Sequence, residues 1–592
     1  MLFRSDTTLP GIATLAPEVS DKFRPLLEKI DQQIAEAQRL FDPAKPELTA
    51  PPLRIALGAL DDFIHELENP SINDLPPTET YNLLHELHIK RVQLNNALVL
   101  AYGVELDAES EANDFIYART PVTLTIKIAA HIEHACILDR LWLQNANGDT
   151  SDGTKAKDQT TDNLTIKPIT RSLIVANQKN PFDTDFTRFL TRPYFDRKDI
   201  EQPVYDVHDP ALRNAPQSPP AFTAYASVLC DKTPLQVGGI DASGDQHRLN
   251  IVPNLDISLS PRVEVLPPDI HSFAITVTNH SFGSRAYLID LCMPIGCVSR
   301  PSQIGGGNRD AVYTIDVPRQ LWSTKFEVKA RGFSADQPAL VTNVEGYRPV
   351  GYPGLTYTNY YTPATLQVVP VDVHTPPNLN IAYISGTGDD VPAALDQLGV
   401  HPHILTAANL TPESLKPYDA VVLGVRAYEH RELAAANAAL NQYASEGGVV
   451  IAQYNTGRLP EGTGPYPLSL GGSEKVVEED APVKIAAPGN PLLAWPNKIT
   501  AADFDHWVEE RGHGFMATWD PHYTPLLETH DHGQQPQLGG LLVARTGRGA
   551  WIYLGLALYR QLPEGVPGAY RLFANLVSAA KNPGLTTTSP TH

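Results

Sequence analysis

At 592 residues the chain exceeds what one hydrophobic core can serve, and it predicts roughly three to five domains. Its 46 Lys and Arg against 67 Asp and Glu leave a net charge of −21, which argues against a nucleic-acid partner or an anionic membrane surface. With 52 Pro and 40 Gly, the composition favours many turns and hence a large β component. The four cysteines, Cys136, Cys230, Cys292 and Cys297, are too few for a disulfide scaffold and form no CxxC pair for zinc. Cys292 and Cys297 are close enough to bridge, but reduced thiols on neighbouring strands are the expected arrangement. No run approaches the ~18 apolar residues of a membrane helix, so no membrane span is expected. The opening MLFRSDTTLPGIATLAPE has no apolar core of signal-peptide length.

Residues 20–41 predict an amphipathic helix, with Phe23, Leu27, Ile30, Ile34, Ala37 and Phe41 on one stripe, Ser20 as N-cap and Pro43 as the stop. A second helix comes after Pro51-Pro52 with Leu57, Leu60, Ile64 and Leu67. A third comes after Pro76-Pro77 and runs to about Gly103. Together they predict a helical bundle with its linker over 1–118. Near 119 the period turns alternating: TPVTLTIKIAAHIEHACILDRLWLQ reads as two strands, 145–163 as a polar loop, and AFTAYASVLC and PLQVGGID as strands again. This predicts one β-sandwich over 119–249 and, from seven further strand-like runs, a second over 250–373.

After the connector HTPPN the pattern changes to three continuous apolar runs, Ile381 to Ile384, Ala420 to Leu423 and Val449 to Ala452, separated by helical segments. Such runs mark strands buried on both faces of a parallel sheet. A doubly wound α/β domain is therefore expected over 378–582, with a disordered tail over 583–592. The fold class is multidomain α+β. Ligands of such sheets sit beyond the carboxyl ends of the strands, which here carry Ser385-Gly386, Gly424 to Tyr428 and Gln453 to Asn455.

Several groups have side chains suited to chemistry. His85 and His88 share a helix, but their spacing is not that of His-Glu-x-x-His, so a polar helix face is expected. His131 and His134 lie in a strand region where i and i+3 point to opposite faces. His530 and His532 suit a solvated turn. No metal site and no cofactor is expected. Gly386-Thr387-Gly388 lacks the spacing and the lysine of a phosphate loop, and a tight turn capped by Asp389 explains it. No cysteine occurs after Cys297 and no Gly-x-Ser-x-Gly elbow exists, so no catalytic nucleophile is assigned. The acid–base groups of DFDHWVEERGHGF are expected to form structural ion pairs. If the crevice does bind or act, Arg426 and Arg511 would take an anionic group, and Asp505 or Glu510 would serve as base. Tyr428 would line the crevice, and Gln453 and Asn455 would orient the ligand.

The stretches GVRAYEHRELAAANAALNQYASEGGVVIAQYN, DFDHWVEERGHGFMATWD, PEGVPGAYRLFANL and TRPYF carry a resemblance to the region C-terminal to the catalytic domain in large bacterial PIG-L (LmbE-like) deacetylases. The resemblance covers about 6–580. It implies a NEW3-type sandwich over 250–373 and a class I amidotransferase-like (ThuA-like) domain over 378–582. The family's zinc deacetylase, with its His-Pro-Asp-Asp motif, has no counterpart here; the only His-Pro is His401-Pro402. The resemblance thus implies an accessory protein that binds carbohydrate or glycoconjugate, or docks to a separate deacetylase, with the family's periplasmic or secreted location. A hydrolase using the α/β crevice and a structural spacer are the alternatives.

Overall fold

The computed structural model describes residues 6, 8–69, 75–110, 115–117, 121–130, 136–145, 154–155, 169–174, 190–198, 202–241, 249–281, 287–303, 310–334, 337–352, 358–408 and 410–586. His131, His134, most of the polar loop over 145–163 and the last six residues lie outside this set. The chain divides into two compact units. One comprises 1–194, 208–254 and 347–360; the other comprises 195–207, 255–346 and 361–592.

The first unit opens with helices Ser20–Leu40, Ala50–Glu68 and Pro77–Ala101. Their buried positions repeat at helical spacing: Phe23, Leu27, Ile30 and Ala37 in the first, and Leu53, Leu57, Leu60, Ile64 and Leu67 in the second. The Phe23 and Phe63 rings meet at 4.9 Å between centroids. Ser20 is the first helical residue and not the cap; Val19 precedes it and no side chain caps the end. The prolines of the other two helices occupy their first turns, where a missing amide costs nothing.

Two antiparallel sheets come next. One orders Val104–Ser110, Pro121–Ala130 and Ile169–Ile174; the other orders Thr233–Asp241, Phe222–Cys230, Cys136–Asn145 and Thr154–Lys155. The bundle is tied to the second sheet by Asn95, whose amide exchanges hydrogen bonds of 2.7 and 2.9 Å with the backbone of Gln236. It is also tied through Asp231, which accepts from the Tyr102 hydroxyl at 3.0 Å. Burial, then the Asp231 carboxylate, pushes the Tyr102 phenol up to about 12. A disulfide joins Cys136 to Cys230, which face each other across adjacent strands. Cysteine count and spacing do not point to this bridge; strand register creates it. Cys292 and Cys297 are free thiols.

In the second unit a four-stranded sheet (Leu255–Ser260, Ser272–Ser281, Ala311–Asp316, Val298–Gln303) and a five-stranded sheet built on Phe326–Ser334 and Thr365–Pro370 share one core. Leu255, Ile257, Phe273, Ile275 and Val277 come from the first sheet, Phe326, Val328, Leu366 and Val368 from the second. Alternate residues of each strand supply this core, as period-two side chains require.

The remainder is built on a seven-stranded sheet. Its strands in chain order are β1 (Ile381–Ile384), β2 (His403–Leu405), β3 (Ala420–Leu423), β4 (Val449–Gln453), β5 (Tyr523–Pro525), β6 (Leu541–Thr546) and β7 (Gly549–Leu554). They lie in the order β2-β1-β3-β4-β7-β6-β5, parallel from β2 to β7 and antiparallel beyond it. Both faces are covered, which is why the strands read as unbroken apolar runs. Ile381, Tyr383, Val422 and Ile451 pack with Leu395 and the helix Pro567–Val577. Ala382, Ile384, Val421 and Val450 pack on the opposite face with Leu433, Leu440 and Tyr443. Each fully buried aliphatic side chain stabilises by roughly 1.5–3 kcal/mol. Order persists past 583: Pro583–Thr586 forms a helical turn with Leu585 in the core. Among the described residues no helix is long and apolar enough to cross a membrane.

Candidate functional site

In this strand order β1 is flanked by β2 and β3, so the connections leave it in opposite directions and a crevice would open beyond β1 and β3. The crevice is closed by its own backbone. A Cβ on Gly386 would lie 1.9 Å from the Val425 carbonyl oxygen, and one on Gly424 would lie 2.5 Å from the Tyr383 hydroxyl. The Thr387 amide donates to Val425 O at 2.9 Å, and the Gly424 amide to Ile384 O at 2.8 Å. Asp389 completes the closure, accepting from the Tyr383 hydroxyl at 2.6 Å and from the Val425 and Val391 amides at 2.9 and 3.1 Å. The Gly386–Gly388 turn therefore spends its groups on the protein.

The ends of β3 and β4 gather four of the seven residues singled out from the sequence. Arg426, in the left-handed region with φ 56°, donates its amide to Tyr454 O at 2.7 Å, and its guanidinium pairs with Glu429. The Tyr428 amide donates to Asn455 Oδ1 at 3.2 Å, and its hydroxyl to Asn437 Oδ1 at 2.9 Å. Burial holds the Tyr428 phenol well above its ordinary range. Gln453 Nε2 donates to Leu423 O at 3.3 Å, and Asn455 Nδ2 to Gln453 O at 2.8 Å. These side chains fasten the two loops to each other.

Arg511 and Asp505 do not join them. Arg511 is buried, donating to Ala481 O at 2.8 and 3.0 Å and to Phe504 O, with Trp507 against its face. Burial draws its guanidinium down to about 10, opposed by the carboxylates of Asp480, Asp505 and Glu479. Asp505 is exposed, just past the 3-10 turn Ala501–Phe504.

The open space lies beyond the carboxyl end of β4: a cavity of about 1230 Å³ walled by residues 454–475 with His513 and Gly514. Of the seven, Asn455 lines it. The wall is mostly coil, interrupted by the short strand Leu468–Leu470, and glycines allow it to turn back on itself. Gly464 has φ 75°, and a Cβ there would meet the Tyr523 hydroxyl at 2.4 Å. Asn441 on the helix Asn437–Ser445 staples the coil by donating to Gly462 O at 2.8 Å and Gly464 O at 3.0 Å. The lining combines Tyr454 and Tyr466 with Arg458, Glu461, Lys475 and His513. Tyr466 is backed by the His522 ring, stacked at 4.1 Å, and Tyr454 by Tyr559 at 5.9 Å.

Behind His513 stands Glu510, 5% exposed. Its carboxylate takes the His513 ring at Nε2, the Arg560 Nε at 2.8 Å and the Tyr559 hydroxyl at 3.0 Å. Burial, then the Glu510 charge, raises the Tyr559 phenol far above its ordinary value. His513 lies in the acidic DFDHWVEERGHGF stretch but carries no motif, and Tyr559 and Arg560 join it only through the fold. Elsewhere, His88 faces Glu68 at 3.3 Å, and His530 Nδ1 lies 3.0 Å from Asp531 O. Among the described residues no three His, Cys, Asp or Glu are grouped to hold a metal ion.

No protein-family model matches the chain, and no curated protein does. The solved structures that match include the native conformation of E. coli alpha-2-macroglobulin. That match has 8% identity, covers 45% of this chain and 17% of that one, and has a TM-score of 0.15, too low to carry an argument about fold.

Proposed function

We propose that the chain is a non-catalytic, carbohydrate- or glycoconjugate-binding accessory protein of the PIG-L deacetylase type, and that the cavity beyond β4 is its binding site. The observation that carries this reading is the cavity itself. Its volume of about 1230 Å³ exceeds that of a typical small-ligand pocket and suits several linked rings. Its wall offers tyrosines, whose faces take the C–H side of a sugar ring, beside charged and polar groups that take hydroxyls. The hydrolase reading is less well supported. Glu510, one of its two candidate bases, already accepts three donors, and Asp505 does not line the cavity. The Cys136–Cys230 bridge fits an oxidising compartment, in line with a periplasmic or secreted location.

The test is a glycan array probed with the full chain and with Tyr454→Ala and Tyr466→Ala variants. Binding of a defined oligosaccharide class, weakened in both variants, is the expected result. Absence of binding across the array, or binding indifferent to both tyrosines, would remove the cavity from consideration.

A further inference from the structure

The Glu510–His513 pair fixes more than a ring position. A carboxylate held by an arginine and a tyrosine hydroxyl is acceptor-only, so the His513 nitrogen facing it must carry a proton. In the neutral imidazole that leaves Nδ1 as a lone-pair acceptor. Among the described residues Nδ1 has no protein partner, while the side chain is 32% exposed and lines the cavity. The ring is also held laterally, with Tyr454 tilted against it at 6.1 Å and Tyr454 in turn stacked on Tyr559. A buried carboxylate, two aromatic rings and an arginine thus converge to fix a ring that lines the cavity and leave it one nitrogen acceptor. Nothing in the sheet or its core requires that nitrogen.

We propose that His513 Nδ1 is the acceptor through which the cavity recognises its ligand, taking a hydroxyl hydrogen from a neutral, polyhydroxylated sugar, with Glu510 as the positioning residue that sets the tautomer. This rests on the reading of the cavity as a glycan site and gives it a specificity-determining group. The acceptor selects for a donor: a carboxylate or sulfate ester, which has none, would face a lone pair. The charged residues of the wall do not reverse that preference, because Arg458 and Lys475 are offset by Glu461 and Glu474. The groups around the ring are Glu510 on its own loop, Tyr559 and Arg560 on the next helix, and Tyr454 after β4.

The experiment is calorimetric titration of the full chain with three neutral tetrasaccharides (α1,4-linked glucose, β1,4-linked glucose and β1,4-linked N-acetylglucosamine) and with tetragalacturonate. At least one neutral sugar binds, and tetragalacturonate binds more weakly. His513→Phe weakens the neutral sugar roughly tenfold, as loss of one hydrogen bond from a desolvated site does. His513→Gln, whose side-chain carbonyl can accept, recovers most of the affinity, and Glu510→Gln falls between them. Recovery by glutamine distinguishes lost recognition from lost folding. Sugar binding unchanged in His513→Phe, or a preference for tetragalacturonate, overturns the role of His513 and leaves the glycan reading standing. Failure of all three neutral sugars to bind the wild-type chain overturns both.

Discussion

The carboxylate of Asp389 accepts the backbone amide of Val425 at 2.9 Å, joining the loop after β1 to the loop after β3. The same carboxylate takes the Tyr383 hydroxyl and the Val391 amide. Burial, then the Asp389 charge, raises the Tyr383 phenol far above its usual value, so the hydroxyl stays a donor. The point where a doubly wound sheet would ordinarily open is held shut by one side chain and two glycines. The open space lies one strand over, beyond β4.

Asp389→Ala therefore tests closure and not binding. It strands two amides and a buried hydroxyl, and a loss of roughly 2–3 kcal/mol is expected. Four of the six tryptophans, Trp495, Trp507, Trp519 and Trp551, lie in the α/β region and Trp142 and Trp322 outside it, so urea unfolding monitored by tryptophan fluorescence is weighted toward that region. Ligand affinity at the β4 cavity, measured where the variant is folded, should stay within twofold of wild type. A large affinity loss with unchanged stability would place a ligand at β1 and β3 after all.

Arg511 gives a second test. Its donors are spent on the carbonyls of Ala481 and Phe504, and a lysine cannot reproduce that fork. Both Arg511→Lys and Arg511→Met are expected to destabilise by about 2–4 kcal/mol, because each leaves buried carbonyls unpaired. If Arg511 instead bound an anionic ligand, the lysine variant would keep both stability and a share of binding. Comparing the two variants by thermal melting decides between these outcomes.

Asp389 and Arg511 also mark the boundary of what residues alone reveal. The strands β1, β3 and β4 are legible in the sequence because burial on both faces removes nearly every polar residue from them. The first two helices are legible because Leu27, Ile30, Leu60 and Ile64 recur at the helical period. The placement of Arg511 is not legible, since an arginine that braces carbonyls and one that awaits an anion look alike in sequence. His513 is hidden for a different reason: its orientation depends on Tyr559 and Arg560, which only the short helix Leu558–Gln561 after β7 brings beside Glu510. The same holds for Cys136 and Cys230, 94 residues apart, whose pairing is a matter of strand register.

That disulfide makes a prediction of its own. Both cysteines are buried and directly opposed. A bridge with a sequence separation of 94 restricts the unfolded chain enough to contribute roughly 2–4 kcal/mol. Mass spectrometry after alkylation without reductant should find Cys292 and Cys297 modified and the other two protected. Cys136→Ser with Cys230→Ser should lower the melting transition of the first unit and leave that of the second in place. Four alkylated cysteines in protein folded under oxidising conditions would overturn the pairing.

Glu264 supplies the pH dependence. It sits on the strand Val263–Leu266, 6% exposed, where the second unit's β region meets Gln397 and Tyr570 of the α/β part. Burial raises its carboxyl to about 8, opposed by the Gln397 amide at 3.4 Å. The folded state therefore holds a proton that the unfolded chain, titrating at the ordinary 4.5, has released. The associated stability is fully present below about pH 4.5 and is lost as pH rises through about 8, with no further change above. The amplitude is of the order of a few kcal/mol. Glu264→Gln keeps a neutral side chain of the same shape at every pH. Its denaturation midpoint should match that of the wild type near pH 4.5 and exceed it progressively toward pH 8. Wild-type and variant curves that run parallel across that range would mean that water or a counter-charge reaches Glu264, and that this joint does not sense pH.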